Sequence, residues 1–368
     1  MTSKQPLQGK TSRIAHVDLL ETIAIFFVLV YHSPLAKCSF LKDSAASNYM
    51  VYFFRTILST CVPLFFFVNG YLLFNRPFDL KKHIKKTLRL GALALVWALL
   101  SMSIYLVTNH QPITLRSILM PVLDMDTKYG VNIYWFLGAL GCMYILFPAL
   151  KAAFDADKRI IWFFTAVCFF YAFIFNTLGI VNTALRYFFH RGPETLNYPI
   201  IKMFYPFRGT HGYSFVYFCL GGLIFEYRDR ILRVPAVKRN VAASVCMVLS
   251  CIGLFLTGIL YSRSSGTEVW DVVWNGYSTI FTLINVLCLY VLSLNCHKTR
   301  KVVRLISENT MGIYLIHIFF TRAFLSQLRQ IKYMANSAGT ILFALCVLFV
   351  CLGISLIIRK IPFLKKLV

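Results

Sequence analysis

Residues 17–32 read VDLLETIAIFFVLVYH, an apolar run that opens with Asp18 and Glu21 and closes on His32. The hydrocarbon core of a bilayer, about 30 Å thick, is crossed by roughly 20 apolar residues in α-helix. Carboxylates inside such a run are expensive in lipid, so they face other protein or a water-lined cavity. A cleaved leader does not normally carry two acids in its apolar region, and this first span is expected to stay uncleaved. Helical spacing puts Asp18, Glu21 and His32 on one face. Glu21 and His32 are separated by three turns and a rise of ~16 Å, so they do not touch but can line one cavity.

Nine more apolar stretches follow, at about 51–74, 88–107, 132–150, 160–180, 212–226, 241–261, 273–295, 305–325 and 339–358, each read against the ~20-residue requirement. The chain has 368 residues, of which 58% are hydrophobic and 14% charged. Soluble domains carry roughly 25% charged residues. The expected fold is an all-α polytopic integral membrane protein of about ten transmembrane helices, one membrane domain over 1–368. In the stretch 212–226, Gly221-Gly222 is expected to let a neighbouring helix approach closely.

The net charge of +24 would fit a nucleic-acid binder, but it distributes as in a membrane protein. With the N-terminus inside, the inner segments hold about twice as many Lys and Arg as the outer loops, so both termini are expected to be cytoplasmic. The expected partner is a lipid bilayer, with no nucleic acid, in a multi-pass protein of the plasma (cell) membrane. The eleven Cys include no CxxC pair and form no disulfide framework. No spacing reads as a metal site.

A few polar residues within the spans are candidates for chemistry. His32, at the outer edge of span one, is either an interfacial histidine or a catalytic base. Arg55 falls at a similar depth on span two; it either snorkels to headgroups or serves a site. Pro63 follows, within the run Val62 to Tyr71 that also contains Asn69, and it frees a backbone carbonyl. Tyr134 and Trp135 open span four as aromatic-belt or substrate residues. His317, ~18 Å above the inner end of span nine, is expected to be buried, neutral and hydrogen-bonded. On the inner side Lys81, Lys82, Lys85, Lys86 and Arg89 form an anchor or a phosphate-binding run.

In this order the motifs resemble the membrane-bound acyltransferase 3 family: Asp18-Leu19-Leu20 leading to Val30-Tyr31-His32, then Val62 to Leu73, Tyr134-Trp135-Phe136-Leu137, Phe218-Cys219-Leu220-Gly221 and Gly312 to His317. The resemblance covers nearly the whole chain. It implies transfer of an acyl group, usually acetyl, from cytoplasmic acyl-CoA to a hydroxyl of a cell-envelope glycan or related envelope molecule. Acyl-CoA (acetyl-CoA) is then a donor substrate, with no bound cofactor.

Under that resemblance His32 is the first-helix histidine; with its place on the polar face this makes it the candidate catalytic base, and Arg55 would steady the oxyanion or an acceptor's negative charge. Lys86 and Arg89 fall at the family's basic pair and would bind acyl-CoA, as Lys-x-x-Arg rather than Arg-x-x-Arg. Glu21, Asn69, Tyr71, Trp135 and His317 are expected to line the substrate cavity. An acid orienting His32 would come from Asp124, Asp126, Glu268 or Asp271. The chain departs from the family at Glu21, where an Arg is common, and at Asn69, where Ser is common. The charge reversal implies a different mode of donor binding, another acyl group or a catalytically inactive relative. The same intramembrane His and Arg would also suit a transporter or flippase of a glycan or lipid-linked precursor.

Overall fold

The polar face of the first span organises much of the helix packing. The computed structural model describes residues 14–33, 40–123, 134–192, 204, 207, 212–268, 276–330, 337–362 and 364–366. Regular structure in the described residues is helical, with no strand among them. The chain divides into two units, one built from residues 1–75 and 162–366, the other from 76–161.

In the larger unit, α1 (Ala15–His32) is followed by α2 (Ala46–Arg55), a 3₁₀ turn (Thr56–Thr60) and α3 (Cys61–Phe74). The stretch 51–74, expected as one span, is therefore an interrupted helix. Pro63 is the cause. It has no N–H for the carbonyl four residues earlier, at Ser59, so regular α-helix stops before it and a 3₁₀ turn fills the break. The Ser59 side chain is held across the unit, 2.8 Å from the Thr282 hydroxyl.

The smaller unit holds α4 (Leu80–Thr108), α5 (Leu115–Leu123) and α6 (Trp135–Ala156). Asp79 caps α4, its carboxylate accepting the Lys82 backbone N–H at 3.0 Å. That bond, with the Lys82 side chain, holds the Asp79 carboxyl below the usual carboxylate range. The buried His83 of α4 sits 2.7 Å from the Tyr144 carbonyl of α6, and Tyr134 and Ser101 share a 2.6 Å hydroxyl contact.

The chain continues with α7 (Lys158–Phe169), which a π-helical turn at Phe170–Ile174 joins to α8 (Phe175–Phe189). Next come α9 (Gly212–Ile224), a 3₁₀ turn Phe225–Tyr227, the short α10 (Arg228–Arg233) and the long α11 (Ala236–Ser265). The remainder is α12 (Ile280–Ser293), α13 (Lys301–Glu308), α14 (Thr310–Gln330) and α15 (Ser337–Lys360).

Among the described residues, seven helices are long and apolar enough to cross a membrane: Ala15–His32, Ala46–Phe74, Leu80–Thr108, Trp135–Ala156, Lys158–Phe189, Ala236–Ser265 and Ser337–Lys360. The other three expected spans fall on α9, α12 and α14. α9 has 13 residues and α12 has 14, and the described apolar part of α14 is Thr310–Thr321. Large apolar side chains stay exposed along the long helices, among them Leu95 and Leu100 on α4 and Val245, Leu249 and Leu256 on α11. Such faces are costly in water and suited to hydrocarbon.

The close approach expected at Gly221 is made with α3. A Cβ on Gly221 would stand 2.0 Å from the Phe67 carbonyl oxygen, and one on Gly70 would stand 1.7 Å from that of Phe218. Each glycine thus admits the backbone of the other helix. The contact locks α3, and with it Tyr71, against α9 and the turn that leads to Arg228.

Candidate active site

At the far end of α1, His32 meets His317. Their ring centroids lie 5.2 Å apart with an interplanar angle of 53°. His317 is fully buried on α14. Its Nδ1 lies within hydrogen-bond distance of the Tyr314 carbonyl. A carbonyl only accepts, so Nδ1 carries the proton and Nε2 presents a lone pair. That Nε2 has no hydrogen-bond partner among the described residues.

Tyr31 packs edge-on against His32 at 4.9 Å, and the Arg55 guanidinium carbon lies 5.7 Å from the Tyr31 ring centroid. Arg55 is 6% exposed, so it is buried and does not snorkel to headgroups. The break before Pro63 places it, because Arg55 is the last residue of α2 before the 3₁₀ turn. Cys61 and Tyr277 extend the polar wall: the Cys61 sulfur is 3.6 Å from the Tyr277 hydroxyl, and the Tyr217 hydroxyl donates to the Tyr277 carbonyl at 2.8 Å.

At the near end of α1, Ser307 stands 2.9 Å from an Asp18 oxygen and 2.5 Å from a Glu21 oxygen, and the Thr299 hydroxyl donates to Asp18 at 3.0 Å. Thr22 adds a bond to the Val303 carbonyl at 3.2 Å. The face of α1 that carries Asp18, Glu21 and His32 therefore looks along α13 and α14. Ser307 receives its acids and His317 its histidine.

Tyr71 and Asn69, on α3, make other contacts. Tyr71 is buried beside the start of α1, its hydroxyl 3.1 Å from His16 Nε2. A sixteen-residue rise of ~24 Å separates His16 from His32. Asn69 bonds the Phe65 carbonyl within its own helix at 2.9 Å. Glu268 accepts from the Leu41 backbone N–H at 3.0 Å. Asp124, Asp126 and Asp271 lie outside the described residues. In the smaller unit Lys86 and Arg89 are exposed on α4, with the Lys86 ammonium 4.7 Å from the Tyr144 ring centroid, and Trp135 is half-buried at the start of α6.

Sequence reasoning passed over His16 and Arg228. His16 precedes the apolar run, and Arg228 stands in a basic segment, so both looked like ordinary ends of spans. A histidine one residue inside a helix start was the available signal.

The multi-pass helical bundle thus carries a histidine pair and a buried arginine at one end of its first helix. The chain belongs to the acyltransferase 3 family: the family's acyltransferase domain matches residues 14–360. It is a membrane acyltransferase, and the group it transfers is not an aminoacyl group. No curated protein and no solved structure matches the chain.

Proposed function

We propose that the protein is an O-acyltransferase of the cell membrane that moves an acyl group, in the first instance acetyl, from cytoplasmic acyl-CoA to a hydroxyl of an envelope glycan or related envelope molecule. The observation that carries the reading is the 5.2 Å approach of His32 and His317 beside Arg55. A hydroxyl is a weak nucleophile at neutral pH, and a positioned base accelerates its attack by roughly 10²–10⁴-fold.

His32 takes the acceptor's proton as its oxygen attacks the thioester carbonyl. The C–O bond forms, the tetrahedral oxyanion is steadied by Arg55, and the C–S bond breaks. The CoA thiolate leaves and takes up the proton held by His32. His317, its Nδ1–H committed to Tyr314, presents Nε2 as an acceptor next to the base. Lys86 and Arg89, expected on the inner side from the loop charges, hold donor phosphates.

The test is consumption of radiolabelled acetyl-CoA by the purified protein, with and without an envelope glycan. Turnover that the glycan accelerates supports the reading. Absence of both turnover and CoA binding overturns it and favours the transport reading.

A further inference from the structure

The start of α1 carries a second cluster of polar groups. His16, 3% exposed, lies within hydrogen-bond distance of Tyr71, and its ring stands edge-on to those of Tyr71 at 5.5 Å and Tyr290 at 6.0 Å. Phe225 closes one side, 5.3 Å from Tyr71. Arg228, three residues on, is within electrostatic reach of His16, Tyr71 and Tyr290. Its buried Nε finds no acceptor among the described residues. Buried donors without acceptors are rare in folded proteins, and each calls for an explanation.

Among the described residues, Asp18 and Asp229 lie within electrostatic reach of the cluster. Asp18, which acts on His16, is already met by the Thr299 and Ser307 hydroxyls. Asp229, which acts on Tyr71 and Tyr290, is exposed. Neither supplies the acceptor that Arg228 Nε lacks. A guanidinium beside phenolic hydroxyls and an imidazole is a donor set for a phosphate, whose oxygens accept from a planar fork.

We propose that Arg228, with His16, Tyr71 and Tyr290, forms a phosphate-recognition site at the start of α1, and that the phosphate belongs to the acyl-CoA donor. The choice of donor rests on the acyltransferase reading above; the phosphate chemistry does not.

The experiment measures binding of radiolabelled CoA to the full-length protein in phosphatidylcholine nanodiscs. It compares wild type with Arg228→Gln, Arg228→Lys and Tyr71→Phe, each checked for a monodisperse size-exclusion profile. Loss of one charge-assisted contact is expected to weaken CoA binding about ten- to a hundredfold in Arg228→Gln, less in Arg228→Lys. Tyr71→Phe, which keeps the ring, is expected to weaken it by a smaller factor.

Equal CoA affinity in wild type and Arg228→Gln overturns the donor-phosphate site and leaves the acyltransferase reading intact. If wild type neither binds CoA nor turns over acetyl-CoA, that reading fails, and native mass spectrometry of phosphatidylglycerol nanodiscs decides on the phosphate chemistry. Retained lipid that Arg228→Gln loses keeps the site and assigns it to a lipid headgroup. No Arg228-dependent retention overturns the site.

Discussion

His32 of α1 and His317 of α14 stand with ring centroids 5.2 Å apart, although 285 positions separate them in the chain. Position alone favoured an interfacial histidine over a base at His32, and made His317 a core histidine as readily as a site residue. Their approach, with Arg55 buried against Tyr31, puts three polar groups of separate elements at one end of the bundle.

On the proposed mechanism, His317 acts through His32 rather than on the acyl group. Replacing it by Phe keeps ring volume and removes Nε2. The expected result is a fall in kcat of about tenfold to a hundredfold through misplacement of the base. The KM for acetyl-CoA should hardly change, and the pH dependence of kcat should shift. Steady-state kinetics across pH checks this; a purely structural role would lower folded yield and leave the profile in place.

Gly221→Ala should destabilise the protein by about 1–3 kcal/mol, because the new methyl meets the Phe67 carbonyl and forces α3 and α9 apart. Gly70→Ala should behave alike from the other side. Gly141→Ala, where nothing lies within 4 Å of the added carbon, is the control and should leave the thermal midpoint unchanged or slightly raised. Thermal unfolding in one detergent compares the three.

Ser307→Ala removes the hydroxyl that stands between two carboxylates while Thr299 still serves Asp18. Loss of a hydrogen bond to a charged group in a part-buried site is expected to cost about 1.5–3 kcal/mol. Adding Glu21→Gln should recover part of that cost by removing one of the facing charges. A double-mutant cycle on thermal stability reads the coupling.

Asp79→Ala should fray the start of α4, and hydrogen exchange at the Lys82 amide should accelerate. The Asp79 carboxyl is held below its usual range by that amide. Its contribution is therefore fully present above the unfolded carboxyl value and is lost as pH falls through the lower folded value. Exchange at Lys82 in wild type should rise over that acid window and be nearly flat with pH in the variant, once intrinsic exchange is accounted for.

Much of the fold is legible in the sequence because hydrocarbon imposes one rule on every lipid-facing segment. Apolar length marks the helices, and each of the ten expected stretches is occupied by helix in the described residues. Gly221-Gly222 announced a close approach, although only the structure identifies Gly70 as the reciprocal position. The shared face of Asp18, Glu21 and His32 was readable from the helical period. Its partners were not, since Ser307 and His317 meet it through contacts almost 290 residues away along the chain. The break in α2–α3 was signalled by Pro63, but the reading of 51–74 as one apolar run hid it. His16 and Arg228 escaped notice because their surroundings arise from tertiary packing around Tyr71 and Tyr290, which no local pattern encodes.

The most direct test of the account compares wild type and His32→Ala for transfer of radiolabelled acetyl from acetyl-CoA, with CoA binding measured on the same samples. A loss of transfer of roughly 10²–10⁴-fold with CoA binding retained is the predicted result. Equal transfer rates in the two proteins would contradict it.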